Sequence, residues 1–165
     1  MKSRDLIDLM FSPVWVSTLL HHFLSGVQQY NPHGIKTELL YLAIPLIVDD
    51  ITRKQLTTAN TKSTLSSIFY NTKELENNRL DIKNALLNKN DHVKQYHEIT
   101  NRGLIYLGSI EKLDIKQFIT VDTVVDLKKE KGIRREFCKA AYYLGIILAK
   151  EDYRNVFVKL GITNI

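Results

Sequence analysis

Residues 12–30 read SPVWVSTLLHHFLSGVQQY, and this stretch has the pattern of an amphipathic helix. Ser12 is a typical N-cap, and Pro13 suits the first helical position because its missing N–H has no partner there. The apolar side chains recur with the 3.6-residue period, at Val16, Leu19, Leu20, Phe23, Leu24 and Val27. The pattern predicts a helix from Pro13 to about Gln29, ended by the turn residues 30–34.

Residues 35–53 predict a second helix, which is apolar on nearly all sides between Leu39 and Val48. A helix of this kind belongs at the centre of a core. Pro45 is expected to kink it, because proline lacks the N–H for the helical hydrogen bond and its ring crowds the preceding turn. The apolar run of about ten residues is shorter than the ~20 needed to cross a bilayer. No membrane association is therefore expected.

The rest of the chain predicts mostly helices, together with one β-hairpin. The hairpin is expected at about residues 110–121, where β-forming residues flank a polar turn. The helical segments are expected at residues 62–70, one or two short ones within 71–90, 91–108, 133–150 and 152–161. We therefore predict a mainly α fold, in which residues 1–165 form a single compact helical domain with one short hairpin. Because helices followed by a two-stranded wing are also the winged-helix layout, a winged-helix-like arrangement remains an alternative.

Composition and charge favour a binding protein in a reducing compartment. The formal net charge of +5 biases encounters towards acidic surfaces, either nucleic acid or an acidic protein, although an excess of lysine is also common for solubility alone. The single cysteine, Cys138, cannot form an intramolecular disulfide, and no secretory h-region follows the N-terminus. A cytoplasmic location is expected.

The sequence motifs of catalysis and of cofactor binding do not occur in the chain. Neither the GxxxxGK[ST] nor the GxGxxG phosphate-binding pattern can be written from its glycines. His21 and His22 point about 100° apart on a helix, which favours hydrogen-bonded boundary histidines over a metal clamp. Cys138 lies in an apolar-periodic stretch that favours core packing. We therefore expect no cofactor, no metal and no enzymatic activity.

Basic residues at two predicted helix ends are the candidate contact residues. Arg53 and Lys54 close the predicted helix of residues 35–53, whereas Arg134, Arg135 and Lys139 open the helix of residues 133–150. If folding gathers them on one face, they would contact phosphates with salt-dependent affinity. An ordinary charged surface is the alternative, because Glu130 and Glu136 are interleaved.

Taken together, the segments resemble the middle component of bacterial three-component ABC ATPase systems, which are associated with defence against phages and other invaders. The resemblance covers residues 11 to the end of the chain. It rests on Ser12-Pro13 with Leu19, Leu20 and Phe23, on Leu39-Leu40-Tyr41-Leu42, Ile44-Pro45-Leu46 and Thr52-Arg53-Lys54-Gln55-Leu56, on Ser63-Thr64-Leu65, and on Ala140, Leu144-Gly145 and Leu160-Gly161-Ile162.

The resemblance implies a non-catalytic subunit that works beside an SMC- or Rad50-like ABC ATPase and an effector component. The expected function is that of an adaptor which links the ATPase to the effector in a prokaryotic antiviral defence system and also contacts duplex DNA through its basic face. The alternative is a stand-alone winged-helix DNA-binding regulator, for which the same five basic residues would be phosphate contacts.

Overall fold

The computed structural model describes residues 11–70, 84–86 and 89–163, which form a mainly helical core with a small antiparallel sheet. In chain order the elements are α1 (Pro13–Tyr30), β1 (Ile35–Lys36), α2 (Thr37–Leu40), α3 (Ala43–Val48), α4 (Asp50–Thr57), α5 (Leu65–Phe69), α6 (Lys89–Ile110), β2 (Leu113–Ile115), β3 (Phe118–Val121), the 3-10 turn Leu127–Lys129, α7 (Gly132–Ala149) and α8 (Tyr153–Leu160). The predicted mainly α fold with a hairpin is confirmed. Within these ranges, no helix combines the length and the apolar character needed to span a membrane.

Helix α1 forms as its sequence predicts and is buried along most of its length. The Ser12 hydroxyl accepts a hydrogen bond from the Trp15 N–H at 3.3 Å, and Pro13 takes the first helical position. Every residue from Leu19 to Val27 is buried, because α6 and α7 pack against α1. The buried stretch includes His21, His22 and Ser25, which therefore need internal hydrogen-bond partners.

The predicted continuous helix of residues 35–53 is wrong, and so is its kink at Pro45. Residues 35–36 form β1 instead, and the helical part is divided into α2, α3 and α4. Pro45 is the third residue of α3, within the first turn, where an N–H would have no helical partner and proline is therefore tolerated. The break between α3 and α4 comes at Asp49, whose backbone is extended. Its carboxylate accepts a hydrogen bond from the Thr52 N–H at 2.9 Å and so caps the start of α4.

The predicted hairpin forms, and it acquires a third strand that the sequence pattern did not indicate. The strand order is β1-β3-β2, and both pairings are antiparallel. Ile35 of β1 lies opposite Ile119 of β3, whereas Leu113 of β2 lies opposite Val121. A two-residue strand carries no period-2 pattern long enough to be recognised, so β1 depends entirely on the neighbouring hairpin.

The C-terminal helices largely follow their predicted boundaries. Helix α6 does not stop at Gly108 but continues to Ile110. Helix α8 begins at the Asp152 cap, which accepts from the Arg154 N–H at 2.9 Å, and it ends at Gly161, whose φ of 66° is left-handed. Most of the predicted helical segment of residues 71–90 lies outside the described residues.

Helices α1 and α7 run in the same direction in very close contact. The rings of Trp15 and Phe137 are 5.9 Å apart near the two helix starts, and the Lys150 ammonium, just beyond the end of α7, lies 5.7 Å from the ring of Tyr30 at the end of α1. Between these points, Gly26 faces the carbonyl of Tyr142, and Gly145 faces the carbonyl of Phe23. The absence of a side chain at the two glycines allows this backbone approach.

Candidate functional site

Exposed cations concentrate around the start of α7. Lys128, Lys129, Lys131, Arg134 and Arg135 are all exposed, and all lie within eight consecutive residues. Folding therefore presents one local basic segment, residues 128–135. Glu130, its one acidic residue, is half-buried. We refer to residues 128–135 as the basic segment.

Arg134 is held in place on this segment by two contacts. Its Nε donates to the Glu130 Oε2 at 3.1 Å, and its guanidinium carbon lies 4.9 Å from the centre of the Trp15 ring. About half of the side chain remains accessible to solvent. Such an Arg on an aromatic ring is pre-oriented for a partner, because little conformational freedom remains to be lost on binding.

Arg53, in contrast, is an internal residue and is not part of an exposed basic face. Its Nε donates to Glu136 at 3.0 Å, and its Nη1 donates to the carbonyls of Ile47 and Val48 at 3.3 and 3.1 Å. Its Nη2 also bonds Asp50. Because these contacts satisfy the carbonyl end of α3 and tie α4 to α7, the structure gives Arg53 a fold-stabilising position, and phosphate contact by it would require unpacking.

Lys54 and Lys139, the other predicted contact residues, remain at least partly accessible to solvent. Lys54 is exposed on α4, next to the buried Arg53. Lys139 is half-buried on α7, with its ammonium 5.9 Å from the centre of the Tyr143 ring. Partner contact by Lys54, Arg134, Arg135 and Lys139 stays a prediction, and only Arg134 and Arg135 lie within the basic segment.

A groove of about 390 Å³ lies beside the basic segment. We call it the connector groove, because the chain that connects β3 to the 3-10 turn forms one wall. Its lining comprises Ser17, Thr18, His21, His22, Leu107, Ile110, Thr123, Val124, Val125, Asp126, Lys129, Glu130 and Arg134. The groove thus combines residues of the first half of α1, the end of α6, and the cations Lys129 and Arg134 on either side of the α7 start.

Three polar side chains of α1 fasten the connecting chain to the helix. Gln28 exchanges two hydrogen bonds with the backbone of Val121, at 2.7 and 3.0 Å. Ser25 Oγ accepts from the Val125 N–H at 3.0 Å, and a ring nitrogen of His21 lies 2.5 Å from the Thr123 carbonyl. Their i, i+4, i+7 spacing on an otherwise apolar helix is a sequence signal that could have identified this contact.

His22, Glu130 and Cys138 come together beside the connector groove, which His22 and Glu130 line, although no sequence spacing indicates their proximity. The Nε2 of His22 lies 3.4 Å from the Glu130 Oε1, and one ligand atom from each of the three residues lies within 4.8 Å of the others. Among the described residues, this is the group whose donor atoms could hold a metal ion. The sequence-based expectation of hydrogen-bonded core or boundary histidines did not include this contact.

The electrostatics of these three groups follow from burial and from Arg134. Burial lowers the pKa of His22, against the opposing effect of Glu130, so the imidazole tends to be neutral. The hydrogen bond from Arg134 holds the pKa of Glu130 below its ordinary value. Burial raises the pKa of the Cys138 thiol to about 12, which keeps it protonated at neutral pH when no cation is bound.

Exposed apolar side chains adjoin the same cations. Ile110 and Val124 line the connector groove and are both more than half exposed, and Ile133, between Gly132 and Arg134, is 75% exposed. Apolar groups next to arginine and lysine are typical of the centre and rim of a protein-binding surface. We call Ile110, Val124, Ile133 and the basic segment together the α7-start surface.

Comparison with known proteins identifies a family but no individual relative. Over residues 2–164 the chain matches the family described as ABC-three component (ABC-3C) system Middle Component 3. No curated protein and no solved structure matches the chain. The suspected resemblance to a middle component of such systems is therefore confirmed at the level of the family.

Proposed function

The chain belongs to the ABC-three component system Middle Component 3 family, and from this membership we propose that it is a non-catalytic adaptor subunit. In this proposal it links an SMC- or Rad50-like ABC ATPase to an effector within a prokaryotic antiviral defence system. The α7-start surface is the part of the chain that contacts one of these two partners.

The juxtaposition of exposed apolar and basic groups at the α7-start surface is the observation that carries this proposal. Ile133 presents a branched apolar side chain to solvent directly beside Arg134, which is already ordered against Trp15. Arginine and aromatic residues contribute most to protein interfaces, and apolar side chains next to them supply the area that becomes dehydrated. A folded partner with an acidic rim and an apolar centre fits this surface.

The proposal assigns no covalent step to the chain. Cys138, its one thiol, is fully buried, and its raised pKa disfavours the nucleophilic thiolate. The buried Arg53 is committed to Glu136 and to backbone carbonyls, so it is not available to stabilise a reacting anion. These side chains support a role in assembly.

Co-purification with the ATPase and effector components of such a system tests the proposal. The tagged chain is expressed with both partners, and Ile133→Asp is compared with Val158→Asp as a matched control. Val158 is also branched and is 80% exposed, but it lies on α8. We expect the control to retain the partners and Ile133→Asp to lose at least one of them. Elution of the unmodified chain alone at low salt contradicts the adaptor role.

A second candidate function is duplex DNA binding, either within the complex or as a stand-alone winged-helix regulator. The density of exposed cations in the basic segment favours it, because each phosphate contact releases counterions. Arg135→Glu is expected to weaken binding and to reduce the slope of log affinity against log salt by about 1. Lys112→Glu, on an exposed residue of the hairpin region, is the control. Equal binding by the two variants removes the basic segment as the DNA contact.

A further inference from the structure

Two parts of the chain that are distant in sequence bring an imidazole together with a carboxylate and a thiol. His22 comes from α1, Cys138 from α7, and Glu130 from the basic segment between them. His22 and Cys138 are buried, with 2% and 0% of their surfaces exposed, whereas the Glu130 side chain is 19% exposed and lines the connector groove. The group is closed on the core side and open on the groove side.

The separation of these donor atoms is close to what a metal ion requires. In tetrahedral geometry, bonds of about 2.0–2.3 Å place neighbouring ligand atoms roughly 3.3–3.8 Å apart. The three atoms lie within 4.8 Å of one another, and the histidine nitrogen and carboxylate oxygen are already 3.4 Å apart. Small side-chain rotations would therefore complete three sides of a tetrahedron.

His22 has a buried imidazole whose hydrogen-bonding capacity is largely unused. Its Nδ1 is fully buried and has no hydrogen-bond partner, although buried ring nitrogens are rarely left unsatisfied. Its other ring nitrogen has only the long contact to Glu130. Nε2 is the ring nitrogen that faces Glu130, so in a neutral imidazole with its proton on Nδ1 the lone pair of Nε2 is the one available to a metal ion.

Arg134 orients the carboxylate in the manner of a supporting residue at a metal site. It binds Glu130 Oε2 at 3.1 Å, while Oε1 is the oxygen that faces His22. Outer residues of this kind fix the orientation of a metal-ligating group. The contact also keeps the guanidinium on the side of Glu130 away from the proposed ion.

We propose that His22, Glu130 and Cys138 bind one zinc ion, with water from the connector groove as the fourth ligand. Thiolate, imidazole and carboxylate together favour zinc over magnesium or calcium, which prefer ligand sets of oxygen alone. Binding releases the thiol proton to solvent and forms the sulfur–zinc bond. The ion would tie the basic segment to both α1 and α7 and so fix the cations and Ile133 in position for a partner.

Metal content and cobalt spectroscopy on the isolated chain test this inference separately from the adaptor role. The chain is produced without a polyhistidine tag, and zinc is measured by mass spectrometry after gel filtration. We expect about one zinc ion per chain. Cobalt substitution should give a thiolate-to-metal charge-transfer band that is lost in Cys138→Ser.

Glu130→Gln and His33→Gln complete the design. Glu130 is partly exposed, so its variant is expected to fold, and it should retain much less zinc than the unmodified chain. His33 lies in the turn before β1, away from the three ligands, and serves as the control for incidental histidine binding. Absence of zinc and of the cobalt–thiolate band from the folded, unmodified chain overturns the proposal, as does full zinc content in both Cys138→Ser and Glu130→Gln. Either result leaves the co-purification test unaffected.

Discussion

Substitution of Gly145 by alanine tests the close approach of α1 and α7. An ideal Cβ at Gly145 would lie 2.1 Å from the Phe23 carbonyl oxygen, where ordinary contact begins at 3.4 Å. The two helices would have to separate by about 1.3 Å to restore ordinary contact, because the obstructing atom is backbone and has no alternative rotamer.

The expected magnitude follows from two opposing effects. Overpacking of a core costs about 1–3 kcal/mol, and a backbone obstruction should approach the upper value. The higher helix propensity of alanine relative to glycine offsets up to ~1 kcal/mol of this cost. We therefore expect Gly145→Ala to lower the free energy of unfolding by about 2 kcal/mol, which corresponds to a fall of roughly 4–8 °C in Tm for a chain of this length.

Gly108→Ala is the matched control, because Gly108 also lies in a helix but a Cβ there would meet only Leu113 Cδ1 at 3.5 Å. It should be neutral or stabilising by up to ~1 kcal/mol. The assay is urea and thermal unfolding, followed by far-ultraviolet circular dichroism. If Gly145→Ala is as stable as Gly108→Ala, the close helix contact described here does not exist in solution.

Three further predictions concern the buried polar groups. Arg53→Met should lower the free energy of unfolding by about 2 kcal/mol, because Glu136 and the carbonyls at the end of α3 lose a charged donor, and urea unfolding measures this loss. Burial acts to raise the pKa of Asp49, but the Thr52 N–H and Lys89 outweigh it and hold this pKa below its ordinary value of 3.8. The ionised carboxylate therefore stabilises the fold above pH 3.8, and this stabilisation is lost as the pH falls below 3.8. Asp49→Asn should therefore be less stable than the unmodified chain at pH 7. Unfolding curves at several pH values should show that the difference in unfolding free energy between the two chains narrows below about pH 3.8. A difference that stays constant with pH would contradict this assignment. Because Cys138 is buried, in the metal-free chain it should react with a thiol reagent only as fast as the protein unfolds. Stopped-flow absorbance in increasing urea would measure this rate. Rapid reaction of the native chain would instead place the thiol at the surface.

The elements that the sequence predicted well are those set by neighbouring residues. Helix α1 has its serine cap, its proline at the first position and its regular apolar period, and α8 has its aspartate cap and terminal glycine. These signals act within one or two helical turns. The sequence therefore shows where these helices begin and end, although packing against the core supplies most of their stability.

The interrupted segment between Ile35 and Thr57 shows where local reasoning failed. Its continuous apolar run predicts one helix, but Ile35 and Lys36 pair with β3, and Asp49 is extended and starts a new helix. Strand pairing with residues more than eighty positions away outweighs a weak local preference for helix. Pro45, where the sequence predicted a kink, lies instead in the first turn of α3, where a helix tolerates proline.

The candidate site likewise has features that the sequence predicted and features that only the structure shows. The sequence by itself determined the family resemblance, the candidate cations Arg134 and Arg135 near the start of α7, and the lack of a phosphate-binding motif. Only the tertiary structure decided that Arg53 is internal, since its partner Glu136 is 83 residues away, and that His22 meets Glu130, which is 108 residues away. Residue type fixes which interactions a side chain is able to make, but the packing of α1 and α4 against α7 decides which of them is made, because burial removes the water that would otherwise compete.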